Sequence, residues 1–217
     1  MAASSTRAPY LRLVSDADSF EVGDATLRRG LIRREKWAAA AMWKRFAPKI
    51  FGLISQSLAR PNEAEELTQE VMLRVLGEAS NPRRAKTFPA LVYGETARVL
   101  EREFRRVNRL RRFWRRPRRV ALELIGVSDR AERAALMRLY DVLDQLSSAE
   151  RVCFVLHEFE SLTEVDIAEA LDASLPKVRK RLARAVAKVH ALIDCDPVLA
   201  GFLTDEKAPR RDLREGA

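Results

Sequence analysis

The sequence predicts an all-α protein built as two small helical domains joined by a basic linker. Apolar residues recur at three- and four-residue intervals through most of the 217 residues, the period of an amphipathic helix. Only 8 Gly and 9 Pro occur, several of them near the ends or between the periodic segments. The chain is 47% hydrophobic and 33% charged, a balance that suits a solvated helical protein and excludes a disordered one.

The elements follow in order. Residues 1–27 show no clear period and read as a flexible N-terminal arm. From about residue 31 to 58, Trp43, Phe46, Ala47, Ile50, Phe51, Ile54 and Leu58 make one apolar stripe, and Pro48 should kink or divide that helix. Asn62 is positioned to cap a helix from Glu63 to Gly77, with Ala64, Leu67, Val71 and Val75 inward and acidic residues in the first turn. A polar loop at 79–87 leads to a helix from Phe88 to about Val107. These elements make a domain over 28–107. A basic linker, 108–130, precedes a second domain over 131–194, and a tail occupies 195–217. In the second domain Ala135, Leu136, Leu139 and Leu143 mark one helix, and Ser147 with Glu150 forms a capping box for the next.

Charge is unevenly placed. The net charge is +9, and residues 98–119 alone hold eleven Arg against two Glu, so the rest of the chain balances. Such concentration points to an anionic partner, nucleic acid first. No run of apolar residues is long enough for a membrane span, and the first residues lack the pattern of a signal peptide, so a cytoplasmic location is expected. Cys153 sits in an apolar run and reads as a small buried hydrophobe, whereas Cys195 lies between two Asp. His157 and His190 have no nucleophile or metal-ligand pattern around them. No enzyme activity and no cofactor are expected.

Residues 162–190 form a helix-turn-helix. Thr163 caps its first helix, Ile167, Ala168 and Leu171 make a narrow apolar face, and Asp172 to Ser174 supply the short turn. Ser174 stands at the cap of the second helix, with Pro176 in its first turn. Val178, Leu182, Ala185 and Val189 turn one side inward, and no acidic residue occurs between Ser174 and His190. A helix held by its apolar side with its cationic side free suits a DNA major groove. Ser174, Lys177, Arg179, Lys180, Arg181 and Arg184 are its candidate DNA contacts.

The segment Leu162 to Ala185, preceded by Leu146-Ser147-Ser148-Ala149-Glu150-Arg151, resembles region 4 of the extracytoplasmic-function (ECF) sigma factors of bacterial RNA polymerase. Asn62 to Val75 resembles the acidic region 2.2 helix of that family, and Arg45 to Phe51 resembles its region 2.1. The resemblance covers roughly residues 28–193 and implies an alternative sigma factor. By that resemblance, Glu66, Gln69 and Glu70 dock on the clamp helices of the largest subunit of core polymerase. The loop 79–87 and the following helix, with Tyr93, Arg98, Arg102, Arg105 and Arg106, recognise the −10 element. Region 4 reads the −35 element. An anti-sigma factor is a possible further partner. Leu91 stands where the family often has Trp, Val99 where Asn is frequent and Glu103 where Asp is usual, so the −10 preference is expected to be unusual. Two rival readings share these features: a helix-turn-helix regulator that never touches polymerase, and an interaction module that binds polymerase or an anti-sigma factor without directing initiation.

Overall fold

A computed structural model describes residues 22–58, 61–81, 86–113 and 130–199, and no strand occurs among them. The expected features of residues 1–21 and of most of the linker and tail lie outside these residues. The main helices are α1 (Asp24–Ile32), α2 (Lys36–Leu58), α3 (Pro61–Glu78), α4 (Phe88–Phe113), α5 (Arg130–Leu143), α6 (Ser148–Glu158), α7 (Glu164–Ala170) and α8 (Leu175–Asp194).

The arm predicted to run to residue 27 ends earlier, because Leu27 and Leu31 are buried and anchor a helix that begins at Asp24. Arg34 takes a positive φ of 58° and turns the chain sharply into α2. Gly30 permits this tight return. A Cβ there would lie 2.7 Å from both the Ala38 Cβ and the Trp37 ring. Pro48 does not divide α2, which continues through it. Lys44 and Pro48, whose intrahelical bond proline removes, are both exposed, so water reaches the gap.

Asn62 is not a cap. It lies inside α3, which starts at Pro61, and proline is well placed in a first turn because its missing N–H has no intrahelical role there. The predicted stripe of α3 is buried as expected. Helix α4 is longer than predicted and runs to Phe113, so part of the arginine-rich stretch assigned to a linker is helix.

The two halves do not stand apart. One core joins Leu53, Ile54, Val92, Ala97, Leu100 and Phe104 of the first half to Val152, Val155, Leu156, Ile167 and Val178 of the second. A smaller cluster packs Ala135, Tyr140, Leu143 and Leu146 against Ala185 and Val189. The reason lies in α4: every residue from Ala90 to Ala97 is buried, on all sides of the helix, so this stretch needs neighbours on more than one side. Polar bonds tie the halves as well. Tyr140 Oη donates to the Gln56 carbonyl at 2.7 Å, and the Thr87 N–H donates to Glu169 Oε1 at 2.7 Å.

Candidate nucleic-acid interface

The helix-turn-helix is built from short-range chemistry. Thr163 Oγ1 accepts from the Asp166 N–H at 3.2 Å, and Asp166 Oδ2 accepts from the Thr163 N–H at 3.2 Å, a reciprocal cap on a helix of only seven residues. Asp172 adopts φ 49° in the turn, a conformation that Asp tolerates better than most residues. Ser174 occupies the N-cap position of α8, but its side chain makes no capping bond. Thr163→Ala should cost about 1 kcal/mol and loosen α7 first. Urea denaturation together with hydrogen exchange at the Asp166 amide would measure both effects, and unchanged exchange would contradict the role given to this cap.

In α8 the stripe Val178, Leu182, Ala185 and Val189 is buried. At 100° per residue, Lys177, Lys180 and Arg184 lie on the side away from that stripe, and Arg181 flanks it. Lys177, Lys180 and Arg184 are exposed and form no ion pair with another described residue. Arg179 points elsewhere, its Nε donating to Glu164 Oε2 of α7 at 2.7 Å. Arg181 is half-buried beside Cys153, a buried residue whose thiol is pushed up by its apolar surroundings. The six residues of the predicted −35 set therefore divide into a free cationic face, a bridge to α7, an anchor to α6 and a cap position.

The predicted −10 set is distributed differently. Tyr93 is only 8% exposed, and its hydroxyl donates to Glu160 Oε2 at 2.8 Å, across from α4 to the end of α6. Burial and that carboxylate together raise the phenol well above its ordinary range. Each of the four arginines is bound by a carboxylate: Arg98 by Glu95, Arg102 by Glu70, Arg105 by Glu101 and Arg106 by Glu63 and Glu103. Arg98, Arg102 and Arg105 also line an open cleft of about 660 Å³ that reaches Ser147 and Ser148 at the start of α6. Of the predicted loop, residues 82–85 lie outside the described residues.

Glu66 and Gln69 are exposed on α3, and Glu70 is half-buried beside them. Leu73, one turn further on, is 68% exposed and extends this face with an apolar side chain. Glu70 is held by Arg102, whose Nη1 and Nη2 donate to its two oxygens at 2.6 and 2.7 Å, and by Arg74 Nε at 2.9 Å. Those charge-assisted bonds, Arg102 first, hold its carboxyl down to about 2.

Sequence reasoning did not single out Arg151. It is 1% exposed, pairs with Asp144, donates from Nη2 to the Ser57 carbonyl at 2.8 Å and lies 4.2 Å over the Phe104 ring. A basic residue set directly before the apolar run Val152 to Leu156 was the available signal.

The family described as Sigma-70, region 4 matches residues 136–189, which take in the second half of α5, all of α6 and α7 and most of α8. The chain is 29% identical over 169 residues to the ECF RNA polymerase sigma factor SigK of Mycolicibacterium vanbaalenii, covering 73% of this chain and 83% of that protein. Over most of its length the chain is therefore similar to ECF sigma factors, and its second half matches sigma-70 region 4. A second relative, the ECF RNA polymerase sigma factor SigK of Mycobacterium ulcerans, is 26% identical over 178 residues, 77% of this chain and 92% of the relative. The fold is that of CnrH, seen in complex with the cytosolic domain of CnrY. The TM-score is 0.57 at 20% identity, covering 80% of this chain and 98% of CnrH. This chain is an alternative sigma factor acting in transcription initiation, a role that involves RNA polymerase and promoter DNA. No helix among its described residues is long and apolar enough to cross a membrane.

Proposed function

We propose that this sigma factor docks on core polymerase through α3, reads the −35 element with α8 and engages the −10 element with α4. The free cationic face of Lys177, Lys180 and Arg184, opposite a buried stripe, carries the reading. In it these side chains meet phosphates and base edges of the major groove. Glu66, Gln69 and Glu70, with Leu73, form the polymerase contact. The protein acts in the cytoplasm by binding and positioning, with no chemical step of its own.

The closed arrangement bears on how the two DNA-reading helices work. Elements at −10 and −35 lie about 25 base pairs apart, roughly 85 Å of duplex at about 3.4 Å per base pair. A compact chain of this length has a radius of gyration of about 17 Å. Both helices therefore cannot reach their elements while they share one core, and the halves must part on the polymerase. A protein partner that grips both halves would hold the closed form. CnrH, the fold neighbour, is itself bound to the cytosolic domain of CnrY, which supports an anti-sigma factor as a partner of this kind.

Run-off transcription with purified core polymerase and genomic fragments tests the reading: a promoter-dependent transcript is expected, and its absence overturns the proposal. The double substitution Lys180→Ala and Arg184→Ala should weaken duplex binding and lower the slope of log affinity against log salt by about 1.8. An unchanged slope would remove α8 from the DNA.

A further inference from the structure

The residues assigned to polymerase and those assigned to promoter DNA are bound to one another. Arg74, Glu70, Arg102, Glu103, Arg106 and Glu63 form a chain of alternating charge across α3 and α4. Its successive links measure 2.9, 2.6, 3.1, 2.7 and 2.7 Å. Three guanidinium groups and three carboxylates cancel, so this stretch of α4 offers far less positive charge than its sequence suggests. The link between Glu70 and Arg102 differs from the rest. It is bidentate, and it joins the exposed docking face of α3 directly to the arginine row of α4. Glu103, the other carboxylate on Arg102, is nearly buried and stays with α4 whatever α3 meets.

We propose that Glu70 is a positioning residue that ties Arg102 to α3 in the free protein, and that docking of α3 on the polymerase exchanges its partner and releases Arg102 to a promoter phosphate. The proposal rests on the reading above, in which α3 meets polymerase and α4 meets DNA. The acidic face around Glu66 and Glu70 attracts a basic surface, and a polymerase cation arriving at Glu70 competes with Arg102 for the same two oxygens. Arg102 then swings on its own helix, held only by Glu103. Core binding and DNA engagement are coupled through one carboxylate, and the free protein is kept from nonspecific nucleic acid.

The test is binding of a fluorescent, mixed-sequence single-stranded DNA oligonucleotide to the full chain without polymerase, followed by anisotropy over a salt series. Glu70→Gln keeps the shape and removes the charge. It should tighten binding about threefold to tenfold at low salt and steepen the salt slope by about 0.7, the signature of one added phosphate contact on a single strand. Glu70→Asp, which keeps the carboxylate, should stay close to wild type. In an Arg102→Gln background, Glu70→Gln should add nothing further. Unchanged binding by Glu70→Gln overturns the proposal, and so does equal tightening with Arg102 absent, which would show a general charge effect. Failure of the parent reading is separate: it would appear as no run-off transcript from the wild type, whatever the oligonucleotide result.

Discussion

Arg151→Met is expected to lower the unfolding free energy by about 3–5 kcal/mol, the largest loss expected from any single charged side chain among the described residues. The figure follows from what is left behind. The Asp144 side chain is nearly as buried as its partner's, so removing the guanidinium takes the counter-ion from a carboxylate in the interior and leaves the Ser57 carbonyl without its Nη2 donor. Taking the counter-ion from a buried charge costs more than the pair contributes. The cation also lies 4.2 Å over Phe104, a contact that joins α6 of the second half to α4 of the first. Urea denaturation measures the loss. The double variant Arg151→Met with Asp144→Asn removes the carboxylate's charge along with its counter-ion and should be less destabilised than Arg151→Met alone. A single-variant loss below about 1 kcal/mol would show that water reaches this pair and solvates Asp144.

Several elements were legible in the sequence because their causes are local. The α8 stripe at intervals of four, three and four, the capping boxes at Ser147 and Thr163, and the left-handed turn at Asp172 each depend on residues within one or two turns of each other. The exposed acidic face of α3 and the basic face of α8 were legible for the same reason. What was not legible depends on distant segments. Helix α1 has two inward leucines, too few to show a period, and its close seat on α2 comes from Gly30 beneath Trp37. The shared core was hidden by polar letters in α4. Glu95 and Thr96 look like a solvent face, yet both are buried. Thr96 donates back to the Val92 carbonyl at 2.8 Å, and Glu95 is matched by Arg98. Tyr93 drew attention as a DNA reader, and in the closed molecule it is a bond to Glu160. The arginine row was visible in sequence, and three of its pairs within α4 stand at helical spacings of three and four. The partners on α3, Glu63 and Glu70, are more than 30 residues away and leave no local signal.

Gly94→Ala should open the closed form while strengthening the helix that carries it. A Cβ at Gly94 would lie 2.5 Å from the Ala170 carbonyl oxygen, closer than real Cβ contacts come. The obstacle is backbone, so no side chain can swing aside, and α7 must move off α4. Alanine meanwhile favours an isolated helix over glycine by about 0.8–1 kcal/mol, so a loss of closure cannot be charged to helix propensity. Overpacking of this kind costs about 1–3 kcal/mol. That corresponds to a shift of roughly fivefold to 150-fold in the closed-to-open ratio at about 1.4 kcal/mol per tenfold. Small-angle scattering should show a larger radius of gyration, and a distance probe between α3 and α8 should lengthen. Run-off transcription should rise at limiting sigma factor, because less binding free energy is spent on parting the halves. An open form with no gain in transcription would mean that parting the halves does not limit promoter engagement. An unchanged radius would mean that α7 accommodates the methyl within the closed form, and that the close approach of Gly94 to Ala170 is not what holds the halves together.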